Sequence, residues 1–318
     1  MRDFGLSKTL DRCRRQITSV ATSGILAASH RLGPGGAFSM GRVAGQLAGL
    51  TWPMRKRLAT NFKRAGITPT SARVDRYFRR FGCWISWSLA VYHHGFVPSG
   101  VAERVLFDDS VSRLDQAAAL GRGVILIGAH GFCHDVGAAA VNRRHPVTVL
   151  ARESKSAARE AMKKRWYQAS GIEMACRPRR SSVTADTMTC IRTLRRGRAL
   201  AITPDVLVSS QKGVSVQFLG REVFLSPGIA VLAMRTGAPL VPCWYEWHED
   251  RSAKRDDRVV VCFDEPIELA PTGDRGKLAQ ETLQAWCVQF EQYLKRYPEN
   301  WMFWLDKRWT KVLRGGAA

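Results

Sequence analysis

Paired cysteines are missing from this chain. Its eight cysteines (13, 83, 133, 176, 190, 243, 262 and 287) show no Cys-x-x-Cys and no paired spacing, which argues against a disulfide framework or a cysteine-based zinc ribbon and for a reduced, cytosol-facing setting. Long apolar runs are missing too. None reaches the roughly 18 residues that crossing a bilayer requires. The most apolar N-terminal piece, Ile17 to Ser29, is short and rich in Ser, Thr and Gly. The start, Met1-Arg2-Asp3, lacks the apolar core and cleavage site of a secretory signal. No Gly-x-Ser-x-Gly elbow and no Gly-rich nucleotide loop occurs, so serine-hydrolase and nucleotide-binding readings find no support. Acid is scarce as well: 27 Asp+Glu stand against 49 Lys+Arg, a formal net charge of +22. Such a field attracts nucleic acid, acidic lipid headgroups or an acidic carrier protein, and charge alone does not choose among them.

What is present divides the 318 residues into two regions. Residues 1–104 read as helical, basic and membrane-surface-associating. Arg12, Arg14 and Arg15 followed by Ile17, Val20, Ile25 and Leu26 suit an interfacial amphipathic helix or a surface helix packed on its own domain. Gly33-Pro34-Gly35-Gly36 is expected to break it. Basic residues then surround Leu47, Leu50, Trp52, Leu58 and Phe62, and residues 72–96 carry aromatics at helical spacing. Residues 105–318 alternate short β-branched runs with helical stretches, which predicts an α/β fold with a mainly parallel central sheet flanked by helices. The expected strands begin at Val105, Val124, Val147, Ile172, Ala199, Leu240 and Val259, with a hairpin about Gly220 and a last amphipathic helix over Arg275–Arg296. An aromatic C-terminal segment, Tyr297 to Trp309, closes the chain.

The chemistry centres on Gly121 to Gly137. Val124 to Ile127 is an unbroken apolar run, expected as a strand buried on both faces. His130 and Asp135 follow at its carboxyl end, where open α/β sheets build their sites. An imidazole titrating near neutrality suits the removal of a hydroxyl proton, and a carboxylate can fix its tautomer. Residues five apart point about 140° from each other on a helix, so the pair works only with His130 in a loop and Asp135 in the first helical turn. A strand-end His and a helix-start Asp that merely satisfy backbone groups fit the same spacing. A metal site at His130, Cys133, His134 and Asp135 is disfavoured, because the metalloprotease Glu is absent and small loop residues precede the helix.

Several motifs in register go further than spacing. Gly121-Arg122-Gly123-Val124-Ile125-Leu126-Ile127-Gly128-Ala129-His130-x4-Asp135 resembles the His-x4-Asp/Glu block of the lysophospholipid acyltransferase superfamily, in particular the bacterial lipid A biosynthesis (lauroyl/myristoyl) acyltransferases. Arg165 with Gly171, Ala201 to Asp205, Val216 to Arg221, Gly228 to Pro242, and Tyr297-Pro298-Glu299-Asn300-Trp301 through Lys307-Arg308-Trp309 are similar to later family segments, and Arg57-x-x-x-Asn61 more weakly so. The chain departs from the usual His-Phe-Gly-Asn-Trp-Glu by reading His130-Gly131-Phe132-Cys133-His134-Asp135.

The resemblance implies a membrane-associated O-acyltransferase. Catalytic His130, oriented by Asp135, would activate a hydroxyl of a glycolipid such as a lipid A precursor. No cofactor is expected; acyl carrier protein or CoA thioester is the co-substrate. Arg165 and Asp205 are implied supports of a substrate headgroup, Asp205 chiefly as a positioning residue paired with Arg165. Arg152 is a further phosphate candidate. The implied location is the cytoplasmic face of the inner plasma membrane, peripheral or monotopic, without nucleic acid. The alternatives are a lysophospholipid or mannoside-glycolipid acyltransferase, the same fold with an inactive or metal-binding site, and, from another class, a basic nucleic-acid-binding protein.

Overall fold

The computed structural model describes residues 33–178, 183–248, 258–269 and 273–316. The N-terminal stretch 1–30 lies outside them, as does most of the charged loop 249–258. Three helices come first: α1 (Gly33–Leu50), α2 (Trp52–Arg64) and α3 (Ser71–His94). Gly33-Pro34-Gly35-Gly36 does not break a helix; it starts one. Proline is tolerated in a first turn because its missing N–H is one of the donors left unpaired there. The glycines further along α1 answer to tertiary packing. A Cβ at Gly45 would lie 2.6 Å from the Phe78 carbonyl oxygen, and one at Gly82 would lie 2.6 Å from that of Gly41. Backbone meets backbone where α1 crosses α3, and that close approach outweighs glycine's cost in a helix.

The remainder is the predicted α/β body. In chain order it runs β1 (Val105–Phe107), α4 (Val111–Ala119), β2 (Val124–Ile127), α5 (His134–Asn142), β3 (Val147–Arg152), α6 (Ala157–Ser170), β4 (Glu173–Arg177), α7 (Val183–Arg195) and β5 (Ala199–Ile202). A separate antiparallel hairpin follows, β6 (Val214–Phe218) and β7 (Arg221–Leu225). Then come α8 (Gly228–Thr236), β8 (Leu240–His248), β9 (Arg258–Phe263), α9 (Arg275–Arg296) and α10 (Lys307–Leu313). The seven-stranded sheet has the order β1-β9-β8-β2-β5-β3-β4 and is parallel except between β8 and β9. Every residue of β2 is buried, as a strand in the middle of a sheet covered on both faces must be.

Two features position the edge where the strands end. The first is register. Ile127 lies beside Ile202 in the parallel β2–β5 pair, so the residues just past each strand emerge side by side. The second is the C-terminal aromatic segment, which folds back over that edge. Trp301, Trp304 and Trp309 are all buried, and Trp301 packs edge-on to each of the other two. The helical layer is pinned to this segment by polar contacts as well as by packing. Asn61 donates to the Trp304 carbonyl at 2.6 Å, and Glu299 accepts from Arg76 at 2.7 Å. Arg80, itself buried, pairs with Glu299 at 3.1 Å and donates to Asn300 Oδ1.

Candidate active site

His130 and Asp205 stand three residues beyond Ile127 and Ile202, and the register brings them together. The His130 Nδ1 lies 2.6 Å from Asp205 Oδ1. A carboxylate only accepts, so Nδ1 donates and Nε2 carries the lone pair. Asp205 Oδ2 accepts from the His130 backbone N–H and from Trp301 Nε1, both at 2.9 Å. The carboxylate is almost wholly buried, at 1% exposure, while the imidazole keeps 28%. The acid is therefore a fixed part of the frame and the ring is the accessible part. Its Nε2 faces the Thr203 hydroxyl at 3.3 Å, and Phe303 stacks on the ring with centroids 4.6 Å apart.

The C-terminal segment clasps both loops. It takes the His130 carbonyl on the Met302 N–H at 2.9 Å and gives the Asn300 carbonyl to the Phe132 N–H at 2.9 Å. On the other loop, Trp309 Nε1 donates to the Asp205 carbonyl at 2.9 Å, and Arg308 to that of Leu207 at 3.2 Å. Pro298 to Trp309, visible in the sequence as an aromatic closing motif, is thus what holds the histidine and its carboxylate in register. Trp301→Phe keeps an aromatic ring in a smaller side chain and removes one of the donors on Asp205. It is expected to cost about 2 kcal/mol of stability, because the donor is bonded to a charged group. Thermal unfolding checks this.

A cavity of about 280 Å³ opens beside the histidine. Leu126, Ala138, Val141 and Val149 supply apolar wall, and His130, His134, Asp135, Arg152 and Thr203 supply polar groups. Cys243 also lines it, but burial pushes its thiol up to about 12. It stays protonated at neutral pH and is no thiolate nucleophile. Burial likewise raises Tyr167, with the Asp135 carboxylate adding to the shift, so the phenol stays neutral.

The carboxylate on His130 is Asp205, where the sequence spacing suggested Asp135. Asp135 does lie in the first turn of α5, as required, but its oxygens are taken up otherwise. One accepts from Trp84 Nε1 at 3.3 Å and the other from the Val136 N–H at 3.0 Å. It shares the cavity wall with His130. The expected pairing of Asp205 with Arg165 is not what the structure has: the Arg165 guanidinium lies over the Tyr92 ring, 5.3 Å from its centroid, on the exposed side of α6. Arg152 stands exposed where β3 ends, at the cavity rim. Thr203 and Phe303, both against the imidazole, escaped the sequence reading. Their signal is position alone, one just past β5 and the other inside the aromatic tail.

A histidine braced by a buried carboxylate thus stands at the carboxyl edge of a parallel sheet, over a half-apolar cavity. The family model described as bacterial lipid A biosynthesis acyltransferase matches residues 41–311. That is most of the chain, and the chain belongs to this family; it is an acyltransferase. Comparison with curated proteins gave no match.

Proposed function

We propose that the chain transfers a fatty acyl group from a thioester, on acyl carrier protein or CoA, to a hydroxyl of a glycolipid such as a lipid A precursor. His130 is the general base and Asp205 its positioning carboxylate. The observation that carries this reading is the 2.6 Å contact of Nδ1 with a buried carboxylate, which leaves the Nε2 lone pair on the cavity side of the ring. There it takes the acceptor's proton as the hydroxyl oxygen attacks the thioester carbonyl. The C–O bond forms, the C–S bond breaks, and the proton passes from Nε2 to the departing thiolate. The Thr203 hydroxyl, 3.3 Å from Nε2, occupies the direction from which a substrate hydroxyl would approach. Asp135 and Arg152, on the same cavity wall, bind substrate. A guanidinium at the rim suits the phosphate of a headgroup or of CoA. Arg165, turned onto Tyr92, acts on headgroups only from outside the cavity.

The acceptor and donor would meet at a membrane surface, on the cytoplasmic face of the inner membrane. No helix among the described residues is long and apolar enough to cross a membrane. Support for peripheral contact comes from Val43, Leu47 and Leu50, which share a face of α1, and from Trp52 just beyond it. Leu50 is 77% and Trp52 72% exposed, in a chain whose net charge of +22 favours anionic lipid.

Thioester consumption by the purified protein, followed across glycolipid and lysophospholipid acceptors, tests the reaction. Acyl transfer to the glycolipid is expected, and an inert enzyme with every acceptor would sink the proposal. Flotation with anionic vesicles tests the surface. Binding is expected to weaken with salt, and Leu47→Asp with Trp52→Ala should lower it about tenfold or more. Tight binding to duplex DNA with none to vesicles would favour the nucleic-acid reading instead.

A further inference from the structure

His134 stands where the family's usual motif has tryptophan, and the acyl-transfer mechanism above does not use it. It opens α5, and its Nδ1 lies 2.8 Å from the Gly131 carbonyl oxygen. A carbonyl only accepts, so this contact places the proton on Nδ1 and leaves the lone pair on Nε2. The ring lines the same cavity as His130, with the two imidazole centroids 5.5 Å apart and tilted by 54°. Among the described residues Nε2 of His134 has no partner. The site therefore presents two imidazoles side by side, each with Nδ1 tied back to the protein; Nε2 of His134 is unpartnered among the described residues, and that of His130 meets the Thr203 hydroxyl at 3.3 Å, which a substrate hydroxyl would displace.

We propose that His134 is a substrate-binding residue that selects acceptors carrying a second hydroxyl next to the one acylated. Two neighbouring lone pairs call for two neighbouring donors. Around its reacting carbon a thioester offers only oxygen and sulfur, which are acceptors. A sugar or other polyol offers adjacent hydroxyls, one to give its proton to His130 Nε2 and the next to hydrogen-bond His134 Nε2. This rests on the acyl-transfer reading of the site and adds the recognition element that a polyhydroxyl acceptor would need.

His134→Asn separates the two nitrogens' roles. The asparagine amide can keep the donor to Gly131, while nothing replaces Nε2. His134→Gln instead reaches toward the Nε2 position and offers an acceptor there. With an alkyl glucoside as acceptor, His134→Asn is expected to lower kcat/KM about tenfold, chiefly through KM, as loss of one hydrogen bond does. With an alkyl alcohol of the same chain length it should leave kcat/KM unchanged. The melting temperature should stay put, and His134→Gln should recover part of the loss. Equal losses on both acceptors, or none, would overturn the proposal. A second readout does not depend on turnover. The His134 Nε2 nitrogen resonance should move on adding the alkyl glucoside and not the alcohol, and an unmoved resonance overturns the assignment. If wild-type enzyme acylates neither acceptor while that resonance still responds to the glucoside, the acyl-transfer reading fails and the binding role stands.

Discussion

Asp205→Asn is expected to lower acyl transfer about a thousandfold with the fold intact, a loss in the range that removal of general-base function produces. The direction follows from the contacts around the carboxylate. Oδ2 accepts two N–H groups, from the His130 backbone and from Trp301. In asparagine only the amide oxygen can take that place, because an NH₂ there would face two donors. The NH₂ must then occupy the Oδ1 side, against His130 Nδ1. Nδ1 can meet it only as an acceptor, which moves the ring proton to Nε2. The base is lost although every heavy atom is in place. His130→Gln should be at least as severe, since it removes the ring. Asp135→Asn is the discriminating control. Asp135 bonds Trp84 and a backbone N–H and does not touch the imidazole, so the loss should be no more than about tenfold. Single-turnover thioester cleavage, with circular dichroism to confirm folding, decides the matter. If Asp135→Asn proves crippling and Asp205→Asn mild, the pairing expected from the His-x4-Asp spacing is the working one.

That contrast also shows where a sequence stops being informative. Strand β2 and the residues at its end could be read from one short window, because burial on both faces leaves an unbroken apolar run. The α9 helix, Arg275–Arg296, came out with the bounds the structure has. Asp205 could be placed after a strand in the same way. What a window cannot contain is which strand lies beside β2. The β5 neighbour is 75 residues downstream in the chain, with β3 and β4 intervening in sequence but lying further out in the sheet. Asp135, five residues from the histidine, is the local guess. Asp205 is the answer once the register is known. The start of α1 failed for a related reason. Gly33-Pro34-Gly35-Gly36 reads as punctuation, and Gly41 and Gly45 of α1 gain their meaning only from the α3 backbone lying against them.

The C-terminal aromatics illustrate the opposite case, a motif legible in sequence whose purpose was not. Composition alone makes Trp301, Trp304 and Trp309 candidates for core. The structure adds that two of their indole N–H groups end on Asp205, one on its carboxylate and one on its carbonyl. The segment builds the site from behind: the helical layer holds the tail through Arg80, Arg76 and Asn61, and the tail holds the loops that carry His130 and Asp205. One acidic residue of that tail, Glu299, is buried with both arginines on it. Removing Glu299 would take this carboxylate away from the buried Arg80, which costs more than the pair's net worth.

Gly137→Ala is expected to be strongly damaging although it leaves every functional group in place. On an exposed helix, Gly to Ala is worth about 1 kcal/mol in the helix's favour. Here the sign reverses. A Cβ at Gly137 would stand 2.0 Å from Tyr245 Cε1 and 2.8 Å from its Cδ1, far inside contact distance. Tyr245 cannot step aside cheaply. It is buried, its hydroxyl donates to the His134 carbonyl at 3.2 Å, and its own carbonyl accepts from Tyr293 and from Asn300. Either the ring or the first turn of α5 must move, and that turn carries His134 and Asp135. Overpacking of this kind costs about 3 kcal/mol, and activity should fall with stability because the cavity wall shifts. Tyr245→Leu separates the clash from any other cause. Alone it opens a void and destabilises; combined with Gly137→Ala it removes the colliding atoms. The double variant should be more stable than the sum of the single losses, by about 1 to 2 kcal/mol of coupling. Strict additivity in urea titrations would mean that the helix turn, and not the tyrosine ring, absorbs the added methyl group.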